Sequence, residues 1–244
     1  SRGLGVVYKS LELPPFIPEK IDGIIRRLLD DEPLQYIVGE ARFCGLTLKV
    51  TPDVLIPRPE TEELVDIITR QWKEVPDLSV LDLCTGSGCI AVALARSLRF
   101  PAVTAVDISA PALAVARANI AGLRVKVEII NGDILAMKPD HARYDVIVSN
   151  PPYVAEHERA GMPPNVVGKE PDLALFVPDN DPLRFYKAIA AYASEALTPR
   201  GTLYLEINPL YAADLSRMLE LNGFSDINIL PDFNGLKRFA IARR

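Results

Sequence analysis

Two stretches of this 244-residue sequence place chemically useful residues at telling spacings. The first is Asp82-Leu83-Cys84-Thr85-Gly86-Ser87-Gly88-Cys89-Ile90-Ala91, directly after the short apolar run Ser79–Leu83. Gly86 and Gly88 remove side chains where a ligand must approach backbone amides at a helix N-terminus. Asp107 lies 21 residues past Gly86, at the tip of a second apolar run. A carboxylate there can accept hydrogen bonds from both ribose hydroxyls of a nucleoside. A tight turn beside an Asp cap would leave the same trace, but turn and Asp at this spacing favour a nucleoside site. Gly86 to Ala91 also satisfies G-x-G-x-x-G/A, so an NAD-dependent oxidoreductase stays open on this motif alone. Gly132-Asp133 suits a polar contact to adenine in either class, or an ordinary turn.

The second stretch is Asn150-Pro151-Pro152-Tyr153, at the end of the apolar run Tyr144–Val148. Ligands of open α/β sheets bind outside such strand ends. The two prolines fix two φ angles and remove two N–H donors, which leaves nearby carbonyl oxygens freer to face a ligand. Asn150 adds an acceptor oxygen and Tyr153 an aromatic face. Together they form a rigid acceptor pair for a planar –NH₂ group. Pro-Pro alone reads equally as a turn ending a strand; the whole tetrapeptide at this position does not.

The elements that must hold these motifs follow from periodicity. Ile21, Ile24, Ile25 and Leu28 have helical spacing and predict a short amphipathic helix over 21–29, which must pack on something else to bury that face. Leu11–Pro18 holds three of the 21 prolines and reads as irregular. Ala41–Cys44 and Leu46–Val50 flank Gly45 and predict a hairpin. Leu64, Val65, Ile68 and Trp72 predict a helix over 61–74, with Glu60, Glu62 and Glu63 at its start where the helix dipole favours them. Strands are then expected at 79–83, 103–106, 125–130 and 144–148. A helix over 89–98 lies between the first two, and the next is capped by Ser109 and closed by Gly122. Helices at 182–197 and 209–221 and strands at 202–207, 227–230 and 239–242 complete the pattern. Such alternation predicts an α/β, doubly wound, mostly parallel sheet with a late antiparallel strand. The proline-rich stretch between Asn150 and Pro182 is expected to be a long irregular lid near the site.

Composition excludes several classes. Hydrophobic residues make up 49% and charged ones 24%, as in soluble globular chains. The net charge of −5 lacks the basic footprint of a nucleic-acid binder, so no direct nucleic-acid partner is expected. Cys44, Cys84 and Cys89 with two histidines, His141 and His157, are too few and scattered for a disulfide framework or metal centre, so no metal is expected. No apolar run reaches a membrane span, and no signal-peptide layout is visible. The expectation is a cytoplasmic chain, by default monomeric, without a membrane partner. His157 and Glu158 read as solvated loop residues, Trp72 as core, and Cys89 as packing.

With the glycine turn before it, Asn150-Pro151-Pro152-Tyr153 resembles S-adenosylmethionine-dependent methyltransferases acting on amide or exocyclic amino nitrogen. Leu34-Gln35-Tyr36-Ile37-Val38-Gly39 and Ile56-Pro57-Arg58-Pro59-Glu60-Thr61-Glu62 are similar to signatures of the HemK/PrmC family, the N5-glutamine methyltransferases of peptide chain release factors. Lys169-Glu170-Pro171 with Ala174-Leu175, and Phe233-Asn234-Gly235-Leu236-Lys237-Arg238, match the same family. The resemblance runs from about Pro33 to the C-terminus. It implies a Rossmann-like class I methyltransferase domain over 57–244, a hairpin linker over 33–56, and residues 1–32 as a short counterpart of a helical substrate-docking domain.

The resemblance also implies the reaction: methylation of the Gly-Gly-Gln glutamine in class I peptide chain release factors, with S-adenosylmethionine as cofactor. Cys84, Thr85, Gly86, Ser87, Gly88 and Asp107 would hold the cofactor with Asp133, Ile134 beside the adenine, and Asn150. Asn150, Pro151, Pro152 and Tyr153 would hold the glutamine amide. Cys84 stands where the family's turn has glycine, and a small side chain is expected to be tolerated there. An amino methyltransferase acting on nucleic acid is the nearest alternative, and a non-catalytic binding protein on the same fold a more distant one.

Overall fold

Cys44 and Gly45 both adopt positive φ, 47° and 72°, the two-residue turn whose twist matches that of paired strands. They join β1 (Glu40–Phe43) to β2 (Leu46–Lys49) in an antiparallel hairpin. The computed structural model describes residues 16–139 and 143–244. Ahead of the hairpin it has α1 (Phe16–Leu29) and a short α2 (Leu34–Val38) closed by Gly39 at φ 81°. Behind it, Pro59 and the carboxylates of Glu60 and Glu62 open α3 (Pro59–Trp72).

The main sheet then forms as the alternation predicts. Its strands are β3 (Ser79–Leu83), β4 (Ala102–Asp107), β5 (Glu128–Asn131), β6 (Tyr144–Ser149), β9 (Leu197–Glu206), β10 (Ser225–Pro231) and β11 (Lys237–Arg243). The spatial order is β10-β11-β9-β6-β3-β4-β5, and only β11 runs antiparallel to its neighbours. Helices α4 (Cys89–Ser97), α5 (Ala110–Leu123), α6 (Arg184–Ala196) and α7 (Ala212–Leu221) connect the strands. Successive residues of a strand face opposite sides. Val80, Val146, Val148 and Tyr204 therefore pack with α3 and α4 on one face, while Leu81, Leu83, Ile147, Leu203 and Leu205 pack with α6 and α7 on the other. Because β4 and β6 flank β3 on opposite sides, the strand order reverses there, and the crevice of an open α/β sheet opens at that switch.

Several boundaries differ from expectation. The helix after Ser109 runs past Gly122 to Leu123, and Arg124, at φ 54°, is its left-handed cap; Ser109 does cap its start, accepting from the Ala112 N–H at 3.2 Å. The 209–221 helix begins as a separate turn of 3₁₀ helix, Pro209–Tyr211, and the strand expected at 202 starts at Leu197. Of the proline-rich Leu11–Pro18 stretch, Phe16–Pro18 belongs to α1, and residues 11–15 lie outside the described residues, as does His141. The expected packing of the α1 apolar face is not seen among the described residues: Ile21, Ile24, Ile25 and Leu28 remain exposed.

The 150–182 stretch is ordered rather than structureless. Short β7 (Val154–Ala155) and β8 (Phe176–Val177) pair in parallel, and 3₁₀ turns span Glu156–Gly161 and Asp172–Ala174. The Arg159 guanidinium lies 3.6 Å over the Phe176 ring and pairs with Glu156 and Asp172. Buried Glu170 accepts from the Ile56 N–H at 2.9 Å and pairs with Arg58, which clasps the stretch to the segment before α3. Glu158 is not a solvated bystander: its carboxylate accepts from the Ala155 N–H and from Asn208. His157 is exposed and faces Asp179.

Candidate active site

Strand register brings the two motifs to one level. Leu83 pairs with Val106 on one side and Ser149 on the other, so Cys84 and Asn150, each one residue beyond a strand end, stand level with Asp107, the last residue of β4. The turn after β3 is set by its own backbone. The Thr85 N–H donates to the Val106 carbonyl, the Gly88 N–H to the Thr85 carbonyl, and Gly86 and Gly88 sit at φ 54° and 79°. Cys84, with φ 59°, also occupies the left-handed region, which is why glycine suits that position better. A Cβ on Gly88 would come within 3.1 Å of the Ala116 Cβ, so this glycine lets α4 and α5 approach.

Asp107 closes the turn from the other side. Its carboxylate accepts from the Gly86 N–H at 2.8 Å and the Ser109 N–H at 2.9 Å. Burial pushes its carboxyl above the ordinary range, and the N–H donors of Ser109, Gly86 and Ile108 pull it back. Beneath the turn Asp82 is wholly buried, bonded to the Thr85 hydroxyl at 2.5 Å and the Ala91 N–H at 3.1 Å. Burial pushes this carboxyl up to about 7. Burial likewise pushes the Cys89 thiol up to about 12, which fits a packing role.

These residues line a cleft of about 1000 Å³, its open mouth included. Cys84, Thr85, Gly86, Ser87, Asp107, Asp133, Ile134, Asn150 and Pro152 all reach it, and Val106, Ile108 and Phe185 add apolar wall. Gly88 and Pro151 are not among the lining residues. Asp133 spends one oxygen on the Leu135 N–H at 2.9 Å.

Tyr153 faces a second, adjoining cavity with Glu60, Glu206 and Arg238. Asn150, Leu55, Arg58 and Ala174 line both spaces. Asn150 donates through Nδ2 to the Thr61 hydroxyl at 3.2 Å, and that hydroxyl donates to Glu206 at 2.6 Å. Glu206 also accepts from the Tyr153 hydroxyl at 3.1 Å. Burial raises the Glu206 carboxyl, and Thr61, Tyr153 and Arg238 favour its ionised form.

Sequence reasoning missed Thr61, Glu206, Arg238 and Asn119 as parts of this region. Buried Asn119 accepts from the Lys49 N–H at 2.7 Å and donates to the carbonyls of Lys49 and Ser87, which ties the hairpin to the glycine turn. An amide side chain in a mostly apolar helix, as Asn119 is in α5, was the available signal for it.

Residues 61–165 match the family model described as a methyltransferase small domain. The chain is 49% identical to a release factor glutamine methyltransferase of Bacteroides thetaiotaomicron, over 97% of this chain and 84% of that one. It is 41% identical to the protein of the same name from Flavobacterium psychrophilum, over 88% of this chain and 76% of the relative. Among solved structures, a 16S rRNA N2 methyltransferase of T. thermophilus in complex with AdoMet and guanosine is similar at TM-score 0.59 and 22% identity, over 84% of this chain and 49% of that one. A ribosomal protein L11 methylase of Lactobacillus delbrueckii is similar at TM-score 0.55 and 19% identity, over 81% and 85% of the two chains. At those identities the two structures speak to the fold.

Proposed function

The chain belongs to the release factor glutamine methyltransferases, and on that premise we propose that it methylates N5 of the Gly-Gly-Gln glutamine in class I peptide chain release factors, with S-adenosylmethionine as donor. The observation that carries this reading is the place of Asn150, on the wall between the cleft of the glycine turn and the cavity of Tyr153. A donor in the first space and an amide in the second would meet beside its carboxamide.

The first space suits S-adenosylmethionine on two counts. Gly86 lines it with room where a Cβ would meet no atom within 4 Å, so a ligand can approach the turn's backbone. Asp107 presents a carboxylate at the same level, with Val106, Ile108 and Ile134 as apolar wall for an adenine. Cys84 to Ser87, Asp107, Asp133 and Ile134 would hold the cofactor, which when bound supplies an electrophilic methyl group on a sulfonium.

The protein's own part is positioning. An amide nitrogen is a weak nucleophile because its lone pair is delocalised into the carbonyl. Asn150 Oδ1 and the Pro151 carbonyl would each accept one of its N–H bonds, which orients the nitrogen and favours loss of planarity. Positioning of this kind supplies on the order of 7–11 kcal/mol in the best intramolecular models. Tyr153, with its hydroxyl held by Glu206, would pack against the amide and exclude water. A strong general base is unnecessary, because an N-methylated amide that still carries the extra proton is very acidic.

Relatives that share nearly half their residues with this chain and carry the release factor name weigh against both the nucleic-acid and the oxidoreductase readings. The partner would be a class I release factor and the setting the cytoplasm. Incubation with methyl-labelled S-adenosylmethionine tests the reading. Label is expected on a purified class I release factor and not on RNA or DNA. Label on nucleic acid alone would overturn it.

A further inference from the structure

The Asn150 carboxamide can serve as an acceptor for substrate only if its oxygen faces the substrate. Its two ends are nearly the same in shape, so packing cannot tell them apart; hydrogen bonding must. Three residues from separate elements meet behind it. Thr61 comes from the first turn of α3 and is 2% exposed; Glu206 comes from the end of β9 and is 1% exposed. Tyr153 follows β6. The bonds run in one direction: Asn150 Nδ2–H to Thr61 Oγ1, Thr61 O–H to Glu206 Oε2, and Tyr153 O–H to Glu206 Oε1.

We propose that Thr61, held by Glu206, is a positioning residue that fixes which end of the Asn150 carboxamide meets the substrate. Glu206 accepts through both oxygens, from Tyr153 at Oε1 and from Thr61 at Oε2, so it takes the single proton of the Thr61 hydroxyl. What Thr61 Oγ1 then has to offer is a lone pair, and only the amide NH₂ end can use it. A flipped Asn150 would set its oxygen against that lone pair in a buried place, with neither group satisfied. The relay therefore turns Oδ1 away from Thr61, the orientation an N–H of the substrate needs. Around Glu206, Arg238 of β11 attracts its charge and Glu60 of α3 repels it, while the Tyr186 hydroxyl of α6 bonds to its main-chain oxygen at 3.1 Å. The relay thus spans both faces of the sheet end, and none of its parts beyond Asn150 and Tyr153 belongs to the Asn-Pro-Pro-Tyr motif.

This inference rests on the methyl-transfer reading for its kinetic consequence, but not for its structural one. Thr61→Val keeps the shape and removes the relay; Thr61→Ala removes it without the γ-methyl groups; Thr61→Ser restores the hydroxyl. With a class I release factor as substrate, Val and Ala are expected to lower kcat by roughly 10- to 100-fold, the span of one buried unsatisfied group. Affinity for S-adenosylmethionine should not change, and Ser should recover most of kcat. Independently of any substrate, side-chain NMR of the Asn150 amide should show slowly exchanging protons in the unmodified protein and in Thr61→Ser, and fast exchange in Thr61→Val. Unchanged kcat in Val and Ala, a Ser variant as impaired as Val, or identical Asn150 exchange in all forms would overturn the proposal. If the unmodified protein transfers no methyl to a release factor, the functional reading fails, and the Asn150 exchange alone decides the positioning role.

Discussion

Asp107 ends β4 and Asn150 stands one residue beyond the end of β6, yet their side chains face different tasks. Asp107 already accepts from the glycine turn at one oxygen and from the Ser109 N–H at the other and lines only the first cleft, while Asn150 lines both spaces. Asn150→Ala is therefore expected to lower kcat by about 100- to 1000-fold, the usual loss when one preorganised polar group is removed, with cofactor affinity unchanged. Asp107→Ala is expected to weaken cofactor binding by roughly 10- to 100-fold and to leave kcat at saturation far less affected. Calorimetric binding beside steady-state kinetics separates the two. Equal loss of kcat and affinity in Asn150→Ala would make it a binding residue only.

At the scale of elements, the turn after β3 uses its two glycines for different ends. Gly88 combines φ 79° with a would-be Cβ 3.1 Å from Ala116, so Gly88→Ala strains the α4–α5 approach. It should destabilise the free protein by about 1–3 kcal/mol in thermal unfolding. Gly86 has open space, so Gly86→Ala should cost only about 1 kcal/mol of stability and act chiefly by weakening the cofactor. Matching stability losses in the two variants would contradict this division. The glycine turn and Asn150 to Tyr153 were legible in the sequence because local spacing carries them. Thr61 and Glu206 were not: they lie 145 residues apart and meet only when α3 packs against the end of β9. The short helix α2 was missed because its five residues are too few for an apolar pattern to repeat at helical spacing. Gly122 misled as a helix end because Arg124 took the left-handed position two residues later.

The sheet as a whole was readable, since strands buried on both faces give unbroken apolar, β-branched runs. What such a core conceals is a charged group placed within it. Asp82 sits among these residues wholly buried, and burial raises its carboxyl from 3.8 to about 7. The folded chain thus holds a proton that the unfolded chain releases near its ordinary value. The contribution to stability is full below about pH 4 and is lost as pH rises toward about 7. Asp82→Asn keeps an acceptor for Thr85 and Ala91 and cannot titrate. Its melting temperature in the absence of cofactor should fall less than that of the unmodified protein between pH 5 and pH 8; an unchanged difference would place the titration elsewhere.

Where the methyl group goes decides between the release-factor reaction and its alternatives. Mass spectrometric sequencing of a class I release factor, after incubation with this protein and S-adenosylmethionine, reads that position. The prediction is one added methyl on the side-chain nitrogen of the Gly-Gly-Gln glutamine, absent when Asn150→Ala replaces the unmodified protein. A methyl on any other residue, or one that Asn150→Ala still delivers at full rate, would contradict it.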